Sequence, residues 1–82
     1  MMYSLYILSC ADGTLYTGIA TDLARRLSEH NTSSRGAKYT RGRRPVAIVY
    51  VRRFRTRSTA SREEARIKKL SRTEKNTLIH KH

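Results

Sequence analysis

Two phenols, a guanidinium, an imidazole and a carboxylate recur along this chain at spacings that could serve one reaction. Tyr6 stands in the first apolar run, Tyr16-Thr17-Gly18 in the second, Arg26 and His30 follow one helical turn apart, and the acidic pair Glu63-Glu64 comes far downstream. Cleaving a phosphodiester needs a base for the attacking water, positive charge against the phosphoryl oxygens and help for the leaving oxygen. These side chain types could supply all three. Each also has a simpler reading. Tyr6 and Tyr16 could be strand aromatics covering a sheet, and Arg26 could pair with Asp22 four residues earlier. His30 could sit at a helix C-terminus for the sake of the dipole, and Gly18 could merely relieve close packing.

The composition says what such a site would meet. In 82 residues, 18 Lys and Arg stand against 6 Asp and Glu, a net charge of +12. A chain of this length is expected to form a single domain, residues 1–82, with a modest core. An excess of cations weakens the compact state by self-repulsion, and a polyanion relieves it, so nucleic acid is the expected partner. A membrane is not expected, because the basic residues are spread along the chain and no apolar run approaches about 20 residues. Residues 1–10 lack the pattern of a secretory signal and Cys10 is the one cysteine, which makes the cytoplasm the expected compartment. Cys10 ends a strand-like run with no second cysteine at redox or metal spacing, and reads as a structural thiol.

The elements that must position these residues follow from local pattern. Tyr3 to Cys10 is rich in aromatic and branched residues, Asp12-Gly13 is a turn signal, and Leu15 to Ala20 resumes a strand pattern, so an antiparallel hairpin is expected. A two-residue turn would put Tyr6 and Tyr16 on opposite faces. A three-residue loop, Ala11-Asp12-Gly13, with Gly13 in the left-handed region, sets Leu8 opposite Tyr16 and Tyr6 opposite Gly18, so that both phenols share a face. Thr21 or Asp22 can cap a helix reaching about Asn31, with Leu23, Ala24 and Leu27 on its apolar side. Residues 32–45 form a basic loop, in which Gly36 to Arg41 could make one helical turn. Val46 to Phe54 is a third strand, central or beside the hairpin, with Arg52 and Arg53 at its exposed end. Ser58 to Leu70 has a helical stripe of Ala60, Ile67 and Leu70, Ser71-Arg72-Thr73-Glu74 is a capping box opening a last helix, and His80-Lys81-His82 should fray. The expected fold is α+β, a small three-stranded antiparallel sheet flanked by helices in the order ββαβαα.

Leu5-Tyr6-Ile7, Tyr16-Thr17-Gly18, Asp22-Leu23, Arg26-Leu27 with His30-Asn31, and Glu64 with Lys68, Leu70, Ser71 and Arg72 together resemble the GIY-YIG endonuclease superfamily. The likeness is to its small, single-domain bacterial branch, which also tends to carry a loop like Gly36-Ala37-Lys38-Tyr39-Thr40-Arg41, and it covers about Tyr3 to Ile79. The two signature triplets here read Ser4-Leu5-Tyr6 and Tyr16-Thr17-Gly18. The resemblance implies a metal-dependent endonuclease acting on DNA in repair or processing, with one Mg²⁺ or Mn²⁺ ion on Glu64. It further implies that Arg26 grips the scissile phosphate, that Tyr6 is the general base with its pKa lowered by surrounding cations, that Tyr16 positions water or phosphate, and that His30 shuttles the proton. Periodicity alone does not choose Glu64 over Glu63; the spacing to Lys68 shared with the family does.

The other cations, Arg35, Lys38, Arg41, Arg43, Arg44, Lys68, Lys69 and Arg72, read as a rim that grips phosphates rather than reads bases, so low sequence specificity is expected. Tyr39 could anchor the basic loop or stack on an unpaired base. DNA is expected ahead of RNA, and a homodimer or a partner protein would be one route to double-strand cleavage. The competing readings are a nucleic-acid-binding module without turnover and a basic accessory protein that coats RNA.

Overall fold

The first strand, β1 (Tyr3–Ser9), is apolar on both sides because both of its faces are covered. The computed structural model describes residues 1–32 and 35–81. In it β1 is followed by β2 (Leu15–Ala20), α1 (Leu23–Thr32), α2 (Lys38–Arg41), β3 (Ala47–Phe54), α3 (Arg57–Lys68) and α4 (Arg72–Lys81). The sheet order is β2-β1-β3 with both pairings antiparallel, so β1 is central and β3 lies at an edge beside it. This is the α+β architecture expected from the pattern of residues.

The hairpin takes the register that brings the phenols together. Tyr6 faces Gly18 and Leu8 faces Tyr16. Gly13 has φ +84°, its N–H donates to the Cys10 carbonyl at 2.9 Å, and the Cys10 N–H donates to the Thr14 carbonyl at 2.8 Å. That is a three-residue loop with glycine in the left-handed position, which side chains with a Cβ adopt only with strain. Asp12 steadies it by accepting from the Thr14 amide at 3.1 Å and the Thr14 hydroxyl at 2.6 Å.

A bulge between Ile7 and Leu8 resets the pairing of β3, which opposes Val51 to Tyr6, Tyr50 to Ile7 and Ile48 to Leu8. Two small cores result. On one face Leu5, Ile7 and Tyr50 are covered by Ile67, Leu70, Leu78 and Ile79; on the other, Tyr6, Leu8, Cys10 and Val46 are covered by Leu23 and Leu27. Leu5, Ile7, Leu8 and Ile67 are fully buried, each contributing roughly 1.5–3 kcal/mol. Cys10 is buried, as a structural thiol should be.

The helices start where capping chemistry allows. Asp22 accepts the Arg25 amide at 3.1 Å, Thr56 accepts the Thr59 amide at 3.2 Å, and Ser71 and Glu74 form the reciprocal capping box through contacts of 3.1 and 2.8 Å. The last helix runs further than expected, since His80 and Lys81 are helical; His82 lies outside the described residues.

Candidate active site

The Tyr6 phenol lies across the neighbouring strand because Gly18 leaves room for it. A Cβ at Gly18 would stand 2.5 Å from the phenol oxygen and 2.7 Å from Cζ. Tyr6 is 1% exposed, and its oxygen is 2.9 Å from His30 Nε2. His30, on the last turn of α1, is itself fully buried, and its Nδ1 is 2.9 Å from the hydroxyl of buried Thr40. That hydroxyl donates to the Ala37 carbonyl at 2.9 Å. Tyr16 meets the His30 ring edge-on at 5.2 Å, Tyr39 stacks on Tyr16 at 5.9 Å, and the Arg43 guanidinium lies 4.0 Å from the Tyr39 ring centre. Tyr39 is therefore a member of an aromatic ladder, with 38% of the residue left exposed.

Arg26 does not pair with Asp22, which is engaged in capping. Its Nη1 donates to Glu29 at 3.0 Å and to the Arg35 carbonyl at 2.7 Å, which fixes the side chain, and the guanidinium charge favours the ionised form of Tyr6. These contacts hold a half-buried cation against the buried phenol.

The electrostatics correct one expectation. Rather than being lowered, the Tyr6 pKa is pushed up to about 12, first by burial and then by Tyr16, with Arg26 opposing and Glu64 adding to the rise. One guanidinium does not outweigh the loss of hydration around a phenolate. Burial, together with the charges of Arg26 and Arg44, holds His30 below the ordinary histidine value despite the opposing carboxylate of Glu29. At neutral pH the contact therefore joins a protonated phenol to a neutral imidazole.

The acidic pair divides in two. Glu63 is bound by Arg66 at 2.6 Å and by Arg52 at 3.4 Å, and Arg66 holds its carboxyl below the usual range. Glu64 has Lys68 at 3.3 Å and is the member of the pair whose charge reaches Tyr6. Among the described residues no group of three or more His, Cys, Asp or Glu converges. The carboxylate of Glu64 offers hard oxygen donors, which suit an ion such as Mg²⁺ that keeps several waters and takes substrate phosphate as a ligand.

The cations of the expected rim have distinct placements. Lys38 and Arg41 are exposed and make no ion pair among the described residues. Arg43 pairs with Asp12 at 3.0 Å and donates to the Tyr39 carbonyl at 2.7 Å, while Arg44 donates to the His30 carbonyl at 2.6 Å and so closes the end of α1. Lys68 faces Glu64, and Arg72 reaches the Gly13 carbonyl at 2.5 Å, tying α4 to the hairpin turn. Two features were missed by the sequence reading. One is Thr40, whose hydroxyl carried no spacing signal within the basic loop. The other is a polar cleft of about 260 Å³ beside Arg26, lined by Tyr3, Asp22, Arg25 and Arg57 among others, which only the tertiary fold assembles.

Residues 2–77 match the family described as the GIY-YIG catalytic domain. The chain is 60% identical over 75 residues to UPF0213 protein DP2720 of Desulfotalea psychrophila, covering 92% of this chain and 68% of that protein. It is 51% identical over 78 residues to UPF0213 protein VNG_2274C of Halobacterium salinarum, covering 95% of this chain and 100% of that protein. The solution structure of UPF0213 protein BH0048 from Bacillus halodurans is similar with a TM-score of 0.63 and 45% identity, over 98% of this chain and 84% of that one. The protein EF2693 from E. faecalis is similar with a TM-score of 0.65 and 41% identity, over 95% and 83%. Among the described residues no helix is long and apolar enough to cross a membrane.

Proposed function

Because the chain belongs to the GIY-YIG catalytic domain family, we propose that it is an endonuclease that hydrolyses DNA phosphodiester bonds in the cytoplasm with low sequence specificity. The observation that carries this reading is the buried Tyr6–His30 hydrogen bond with Arg26 acting on the same oxygen. Water attacks the phosphorus in line with the leaving oxygen. Its proton passes to the Tyr6 oxygen as the phenol proton moves to His30 Nε2, so the phenol never has to be fully ionised in the resting site. This concerted transfer reconciles a pKa of about 12 with the role of base. Arg26 grips the phosphoryl group from a position fixed by Glu29 and the Arg35 carbonyl. Tyr16, edge-on to His30, lines the water or phosphate position. Glu64 would hold one Mg²⁺ or Mn²⁺ ion, which when bound supplies positive charge to the phosphoryl and leaving oxygens. Lys38 and Arg41, with Arg25 and Arg57 at the cleft beside Arg26, contact flanking phosphates. Processing or repair of branched, damaged or single-stranded DNA suits a domain that covers few base pairs.

The high phenol pKa and near-complete burial of Tyr6 favour one second reading, a nucleic-acid-binding module without turnover. Nicking of supercoiled plasmid and cleavage of a labelled branched DNA, with Mg²⁺ or with EDTA, separates the two. The nuclease reading expects metal-dependent cleavage that falls at least 100-fold in Tyr6→Phe, Arg26→Ala and Glu64→Ala while binding persists. Salt-sensitive binding with no cleavage in any lane would replace it with the binding module, and competition by RNA at matched salt would then identify the ligand.

A further inference from the structure

We propose that Thr40 is a positioning residue that fixes the tautomer of His30, leaving Nε2 free to take the Tyr6 proton; the catalytic part of this inference rests on the nuclease reading above. The hydrogen-bond inventory carries it. A buried phenol needs an acceptor for its proton, and the Tyr6 oxygen lies against His30. His30 Nε2 at 2.9 Å is that acceptor only if the ring proton is on Nδ1. Nδ1 faces the Thr40 hydroxyl at 2.9 Å, and that hydroxyl spends its proton on the Ala37 carbonyl at 2.9 Å, presenting a lone pair to the ring. The chain of donors therefore runs in one direction, Tyr6 O–H to Nε2, Nδ1–H to Thr40, Thr40 O–H to Ala37. His30 and Thr40 are both fully buried, so water cannot substitute for a missing link without reorganisation.

The surrounding loop is built to hold Thr40 there. Gly36 lies so close to α1 that a Cβ would stand 2.6 Å from the Glu29 carbonyl oxygen and 2.9 Å from the Cα of His30. Arg44 grips the His30 carbonyl at 2.6 Å, and the Asn31 side chain is bonded twice to the backbone of Val46, at 2.7 and 3.1 Å. The segment taken from sequence as a phosphate-contacting loop is thus also the support that presses a hydroxyl against the histidine. The hydroxyl is neutral, so it orients the ring, and stabilises the imidazolium formed during proton transfer, without drawing a proton from it at rest.

The test reads the histidine directly. In ¹⁵N-labelled protein, long-range ¹H–¹⁵N spectra of the side chain should show His30 as a single Nδ1–H tautomer. Thr40→Val, nearly isosteric, should shift it toward Nε2–H or a mixture, while Thr40→Ser keeps the Nδ1–H form. On a cleavable DNA, Thr40→Val should lose about tenfold or more in kcat with KM within twofold, and Thr40→Ser should recover to within about threefold. An Nε2–H tautomer in the wild type overturns the proposal without any variant. So does an unchanged Nδ1–H tautomer in folded Thr40→Val, or a serine variant as impaired as the valine one. If no DNA is cleaved by the wild type, the nuclease reading fails, and the spectra still decide the role of Thr40 in setting the tautomer.

Discussion

At the scale of single residues, the Tyr6–His30 pair makes stability depend on pH at both ends. Tyr6 in the unfolded chain loses its proton near pH 10, while in the folded chain it keeps it to about 12, so the native state binds more protons in that window. Stability therefore falls as pH rises from about 10 to about 12, by on the order of 2 kcal/mol from this group. His30 behaves with the opposite sign: its native pKa is depressed, so below about pH 6.5 the unfolded chain takes up a proton that the native site refuses, and stability falls as pH drops. Urea melts across pH 5–12 check this. Tyr6→Phe should start less stable, because Nε2 loses its partner, yet show a shallower alkaline decline; equal slopes for the two proteins would contradict the account. With a three-residue loop, strand alternation made a shared face for Tyr6 and Tyr16 opposite Gly18 legible in sequence, and helix period did the same for Arg26 and His30, while the meeting of these two sets in one site was implied by the family resemblance. The direction of the Tyr6 shift was not, because a count of cations does not reveal that burial outweighs the one guanidinium that reaches the oxygen.

At the scale of elements, the hairpin turn decides whether the site exists. The three-residue loop could be read from Ala11-Asp12-Gly13 because only one of the two turn lengths puts both phenols on a face, and Gly13 is the residue that can take φ +84°. Gly13→Ala meets open space, so its cost is conformational alone, about 1 kcal/mol. In a domain of this size that lowers Tm by about 4–8 °C. Gly13→Asn should lower it by about half as much, since asparagine tolerates the left-handed region better; thermal melts with alanine equal to asparagine would mean that the turn rearranges. The capping box and the stripe of Ala60 and Ile67 were equally readable. The order of the sheet was not settled in advance, since β3 is apolar enough for a centre or an edge. Pairing with β1 is what excludes the centre, and it depends on contacts 38 to 51 residues apart in sequence that no local pattern carries.

At the scale of the whole molecule, the charge is less evenly available than its total suggests. All six carboxylates have internal work: Asp12, Glu29, Glu63 and Glu64 sit in ion pairs, and Asp22 and Glu74 cap helices. Lys and Arg outnumber these carboxylates by 12, and Lys38 and Arg41 are two of the exposed cations. Replacing both with alanine should reduce the slope of log Kd against log salt for duplex DNA by roughly 2, with little change in sequence preference. An unchanged slope would place the phosphates elsewhere on the surface. The position of β1 has a consequence in time. The central strand, at residues 3–9, is made before its second neighbour, residues 47–54, and before Ile67 and α4, which cover its Leu5–Ile7 face. During synthesis the hairpin can close early, yet one edge and one apolar face of its inner strand stay bare until β3, α3 and α4 have followed. The strand that carries Tyr6 is thus the segment open to mispairing in the interval, and the native arrangement waits on β3, α3 and α4.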